Sequence, residues 1–145
     1  MKTMHDAFET ILKAALPKDC RIFSINMPLQ LMNTLTRETA KLCTYLIQQD
    51  RIRLNSSGAS PVHEVTIEVS LYGSLDEINS MAASVNGMLL GQEIKASGWR
   101  FVLKPAQPGK RDVWEPGIQV KREWLQYQGF AIEPENAGAD TGTAV

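Results

Sequence analysis

Residues 62–91 read VHEVTIEVSLYGSLDEINSMAASVNGMLLG, and this stretch decides the fold class. Val65, Ile67, Val69 and Leu71 alternate with Glu64, Thr66, Glu68 and Ser70, the two-residue period of a strand with one buried face and one wet face. Gly73 then turns the chain. Ser74 is placed to cap the first free amides of a helix, and Glu77, three residues on, completes a capping box. Ile78, Met81, Ala82, Val85 and Leu89 follow at helical spacing until Gly91. A sheet with a helix across its dry face is expected.

Working outward, Thr3–Leu16 carries Met4, Phe8, Ile11, Leu12 and Ala15 on one helical stripe, which Pro17 stops. Arg21–Met27 alternates as a short strand, closed by Pro28, and Leu29–Thr39 fits neither period. Lys41–Leu54 reads as a long strand whose far half, from Gln48 to Arg53, is polar; the turn formers Asn55–Pro61 join it to residues 62–72 as a long antiparallel hairpin. After the second helix, Trp99, Phe101 and Leu103 alternate with Arg100, Val102 and Lys104. Pro105–Gly117, with three prolines and two glycines, is expected to be a loop long enough to carry function. Ile118–Ile132 is the last strand, with a bulge expected near Trp124 and Leu125, where the apolar parity changes. The fold class is therefore α+β, a single domain with a mostly antiparallel sheet, two helices on one face and a long β-hairpin. Residues 1–132 form the domain, and 133–145, small and polar, a disordered tail.

Composition narrows the function. A chain of 145 residues, 43% hydrophobic and 21% charged with net charge −1, fits one soluble domain and has no apolar run near the roughly 20 residues that span a bilayer. Met1–His5 lacks the start of a secretory signal, which points to the cytosol. Cys20 and Cys43 are then expected as buried thiols rather than a disulfide. Two histidines and two cysteines give no metal-ligand spacing, and no phosphate loop, nucleophile elbow or dinucleotide fingerprint is present, so neither cofactor nor enzyme activity is expected. His63 sits at the edge of a strand. Glu64 and Glu68 share one strand face and can be imagined as an acid–base pair, but a solvated face explains them without chemistry.

Charge is unevenly placed. Residues 61–90 carry Glu64, Glu68, Asp76 and Glu77 with no Lys or Arg, while 99–111 carry Arg100, Lys104, Lys110 and Arg111 with no acid. Such segments form either a solvated surface or complementary subunit contacts. Trp99, Arg100, Phe101, Lys104, Lys110, Arg111 and Trp114 also mix aromatic and basic residues, as single-stranded nucleic-acid binders do, although strand parity assigns Trp99 and Phe101 to the core.

The run KLCTYLIQQDRIRLNSSG, then VHEVTIEVSLYG, then SLDEINSM, followed by GWRFVLKP and IQVKREWLQYQGFAIE, resembles the tail terminator proteins of long-tailed bacteriophages, the lambda gpU-like group. The resemblance covers most of residues 1–132; residues 28–39 depart from it. It implies a structural protein of the virion, assembled in the host cytoplasm: a hexameric ring that caps the tail tube, ends tube polymerisation and forms part of the neck where head and tail join. The implied partners are further copies of the chain, the tail-tube protein and a head-completion or connector protein, with no membrane and with DNA only as cargo passing through the lumen. Another neck or tail-tube component is the alternative. A closed ring needs two different surfaces that fit head to tail. Candidates are Gln48, Asp50, Arg51 and Arg53 on the hairpin, Glu64 and Glu68 on the acidic strand face, and Arg100, Lys104, Lys110, Arg111 and Trp114 in the basic region.

Overall fold

A computed structural model describes residues 3–24, 41–53, 61–115 and 120–134. The elements run α1 (Met4–Ala15), β1 (Arg21–Ser24), β2 (Leu42–Arg53), β3 (Val62–Gly73), α2 (Leu75–Leu89), β4 (Ile94–Ala96), β5 (Trp99–Glu115) and β6 (Val120–Ile132). They build an α+β domain with one six-stranded sheet in the order β1-β2-β3-β6-β5-β4, antiparallel throughout except for the parallel β1–β2 pair. Neither described helix is long and apolar enough to cross a membrane.

Both helices start on capping boxes, which satisfy amides that the first turn leaves without partners. Thr3 Oγ1 accepts from Asp6 N (3.1 Å) and Asp6 Oδ2 from Thr3 N (3.3 Å); Ser74 Oγ and Glu77 Oε1 do the same for α2 at 3.3 and 2.9 Å. Leu16, before Pro17, is already extended, and α1 ends there. The stripes Met4, Ala7, Phe8, Ile11, Leu12 and Ile78, Met81, Ala82, Val85, Leu89 are buried, and the main core brings both helices together with the inward side chains of the sheet. Those side chains include Cys43, Tyr45 and Ile47 of β2, Val65, Ile67, Val69 and Leu71 of β3, Trp99, Phe101 and Leu103 of β5, and Leu125, Tyr127 and Ala131 of β6. Phe8 meets Phe101 edge-on at 5.8 Å, tying α1 to the far side of the sheet.

Cys20 and Cys43 are buried free thiols, and desolvation pushes Cys20 up to about 12. Tyr127 O–H donates to Asn86 Oδ1 at 2.5 Å and Tyr45 O–H to Glu9 Oε1 at 2.9 Å, so both of these buried phenols end on a helix. Burial, first, raises the pKa of both tyrosines.

Two expectations need correction. Residues 105–115 are not a loop: they continue β5, paired with β6 down to Glu115. Their prolines and glycine fit because, among the described residues, the side of β5 away from β6 meets nothing beyond Phe101 except a Leu90–Leu103 bridge. There, among the described residues, prolines need give up no ladder hydrogen bond. The expected bulge in β6 lies instead on its partner. β6 pairs with β3 without interruption from Lys121 to Ile132, whereas the β5 register slips between Pro105 and Gln107, between Gln107 and Lys110, and between Val113 and Glu115. The apolar parity changes in β6 because Glu123 takes an inward, buried position and Trp124 an outward one. His63 stands next to the start of β3, as expected, and is 6% exposed on a strand paired on both sides. β4 was not expected; Ser97 (φ 51) and Gly98 (φ 84) form the two-residue left-handed turn that joins it to β5. Ile25–Met27, Leu29–Thr39, Leu54, the turn Asn55–Ser60, residues 116–119 and the tail 137–145 lie outside the described residues.

Ile67 is fully buried at the centre of β3, so Ile67→Ala should cost about 2–5 kcal/mol in denaturant unfolding. Gly129→Ala should be at least as damaging for a different reason: a Cβ there would run into the Val102 carbonyl oxygen and Leu103 Cα of the neighbouring strand. Both cysteines should resist a thiol reagent at pH 8 in the native protein and react at once in denaturant. Fast native labelling would show that the β2 region opens.

Candidate functional site

The helices cover one face of the sheet. On the other face the burial is uneven. Near the start of β2, Leu42, Thr44, Ser70 and Tyr72 are buried on the outer side too; toward the hairpin end the outer side is open. There the ladder lays residues out in level rows running β2–β3–β6–β5: Arg53–Val62–Ile132–Arg100, then Arg51–Glu64–Phe130–Val102, then Gln48–Thr66–Gln128–Lys104, then Leu46–Glu68–Gln126–Gln107. Val102 (43% exposed) and Phe130 (39%) form an exposed apolar cross-strand pair at the middle of this face.

The sequence candidates are placed as follows. Glu64 and Glu68, half-buried, and Arg100 and Lys104 share this single face, separated by the width of β6. They are therefore not two opposite surfaces. Glu68 Oε1 accepts from Gln126 Nε2 at 3.0 Å, and Arg100 Nη1 lies 3.7 Å from Glu93 Oε2. Gln48 is exposed in the same rows; Asp50 is the extra residue where the β2 register slips between Gln49 and Arg51, and Arg51 and Arg53 stand opposite Glu64 and Val62. Lys110 and Arg111, expected at a loop tip, stand in β5 opposite Trp124 and Glu123, and Trp114 falls within the last β5 irregularity.

Glu64 and Glu68 stand half-buried in one strand, and among the described residues no three His, Cys, Asp or Glu side chains converge as metal ligands. Trp99 (6%) and Phe101 (0%) are core, which removes two of the aromatics that nucleic-acid stacking would use.

Two features were missed from the sequence. Arg122 donates to Ser70 Oγ at 3.3 Å with its guanidinium 5.7 Å over the Trp124 ring, stiffening the covered end of the outer face. At the opposite end His63 Nε2 meets Glu133 Oε2 at 2.7 Å, packs 5.6 Å from the Trp99 ring, and lies beside the Glu133 N–H bond to the Pro61 carbonyl. Pro134 follows against Gly98. This clasp fixes where the chain leaves β6; its signal was only the i, i+70 placement of one His and one Glu, which no local pattern reveals.

No family model matches the chain, and no curated protein matches it. Among solved structures it is similar to a chain of the virion of a native gene transfer agent particle, with a TM-score of 0.53 and 18% identity over 89% of this chain and 94% of that one. At that identity the likeness establishes a shared fold across nearly the whole length of both chains.

Lys104→Glu, at an exposed position, should cost under about 1 kcal/mol in thermal unfolding.

Proposed function

We propose that this chain is a structural protein of a phage-like particle, and more narrowly a tail terminator that closes into a ring on the tail tube, ends its growth and presents the head-joining surface. The observation that carries the proposal is the fold shared with a virion chain of a gene transfer agent over 89% and 94% of the two lengths. The resemblance to the tail terminator group supplies the narrower assignment. No catalytic role is part of it.

A ring of like subunits requires two different mating surfaces. Glu64, Glu68, Arg100 and Lys104 share one face, so the two sides of the contact are better sought at the two flanks of the sheet, the Gln48–Arg53 part of β2 and the Lys104–Glu115 part of β5. These flanks differ in sequence and stand on opposite sides of β3 and β6. Both carry register slips, and β5 carries Pro105 and Pro108, which work against simple strand addition between copies. Contact through side chains is the mode these flanks favour.

Removal of the gene from its particle-producing host should give tails of irregular length, or heads and tails that remain apart, in electron micrographs; supplying the protein in trans should restore joined particles. A ring of this chain at the head-proximal end of the tube, seen by labelling, completes the expectation. Tubes of normal length that fail only at baseplate or fibre attachment would overturn the terminator assignment and favour another tail component.

A further inference from the structure

The far half of β2 has little support of its own. Up to Tyr45 the strand has β1 on one side and β3 on the other; from Leu46 to Arg53 it pairs with β3 alone among the described residues, and its register slips between Gln49 and Arg51. Neither helix covers it. On the helix side of the sheet Ile47 is buried, but Gln49 is exposed and Ile52 is 51% exposed. What holds this segment is therefore whatever holds the end of β3 to which it is paired, Ile52 to His63 and Arg53 to Val62.

That end of β3 is held in turn by the exit of the chain from β6. Val62 and His63 pair with Ile132 and Ala131, and Glu133 N–H carries the ladder one step further by donating to the Pro61 carbonyl at 3.1 Å. The Glu133 side chain then closes back on β3, its Oε2 accepting from His63 Nε2 at 2.7 Å. His63 is 6% exposed, packs 5.6 Å from the Trp99 ring, and has its Nδ1 buried without a partner among the described residues. The Glu133 carboxylate thus supplies the one hydrogen bond that this ring has there. A buried imidazole that loses it is costly, and the cost is relieved when the strand end that carries the ring moves into water.

We infer that Glu133 and His63 form a latch that couples the exit of the chain from β6 to the far half of β2. Closed, the latch keeps the paired ends of β2 and β3 in the sheet. Open, residues 46–53 and 61–63 loosen together while the centre of the core stays folded. Such coupling is reciprocal: a partner that draws Glu133 away frees this flank, and a partner that fixes the flank tightens the exit. The flank is one of the two surfaces proposed above for ring contact, but the latch lies within a single chain and does not depend on that assignment.

The test is hydrogen exchange read by mass spectrometry on the free protein. Glu133→Ala should speed exchange of the 46–53 amides about tenfold, while amides at 67–71 in the centre of β3 and those of α2 keep the wild-type rate. Glu133→Gln, whose side-chain carbonyl still accepts from Nε2–H, should stay near wild type. Unchanged exchange at 46–53 in a Glu133→Ala chain that circular dichroism shows to be folded would overturn the latch, as would acceleration spread evenly over the whole chain. Equal loosening by Glu133→Gln would overturn the hydrogen bond as its cause.

Discussion

The inward column of β3 constrains everything else in this domain. Val65, Ile67, Val69 and Leu71 are all at or below 2% exposure on a strand hydrogen-bonded along both sides. A slip of one residue against either neighbour would send that column to water and Glu64, Thr66 and Glu68 into the core, so the register of the β2–β3–β6 ladder is settled by burial. Gly73 and Ser74 then launch α2 directly from the end of the same strand, which leaves little freedom in how the helix crosses the sheet. The composition of the outer face follows as a remainder: whatever alternates with the buried column must face outward.

That dependence explains what could be read in advance. Period-two and period-3.6 patterns are local, and wherever one face alone is buried they survive intact, as in α1, α2, β3 and the first half of β5. The capping boxes at Thr3 and Ser74 were legible because they lie within four residues of the helix they start. The assignment faltered where long-range pairing overrides local composition. Pro105 and Pro108 look like loop punctuation, yet a strand that has β6 on one side and, among the described residues, no strand on the other tolerates them, and three register slips absorb the extra residues. Glu123 broke the apolar parity of β6 and suggested a bulge, although the strand is regular and the carboxylate is simply buried. β4 is three residues long, too short for any period, and only the Ser97–Gly98 turn marks it.

The candidate surface teaches a related point about charge. In sequence, acids at 64–77 and bases at 100–111 look like separate surfaces. In the sheet, antiparallel return brings part of each to the same face within two strand spacings, and sets Arg111 in register with Glu123 of β6. Segregation along a chain therefore says which strands carry charge but not which faces do; strand parity must be applied to each residue first. Glu64, Glu68, Arg100 and Lys104 survive that filter as one surface, while Lys110, Arg111 and Trp114 are redistributed along a paired strand.

The flanks and the face also differ in what they allow. At both flanks the register slips, and on β5 prolines interrupt the donors, so a neighbouring strand could not extend the ladder without gaps. The outer face presents no backbone, only side chains at regular spacing, with an apolar pair at its centre and polar amides around it. Backbone-mediated growth would be indefinite, because each added strand exposes another edge. Contacts restricted to side chains are instead limited by shape and charge to particular partners and angles, and a domain whose sheet is shielded in this way is suited to assemblies that close.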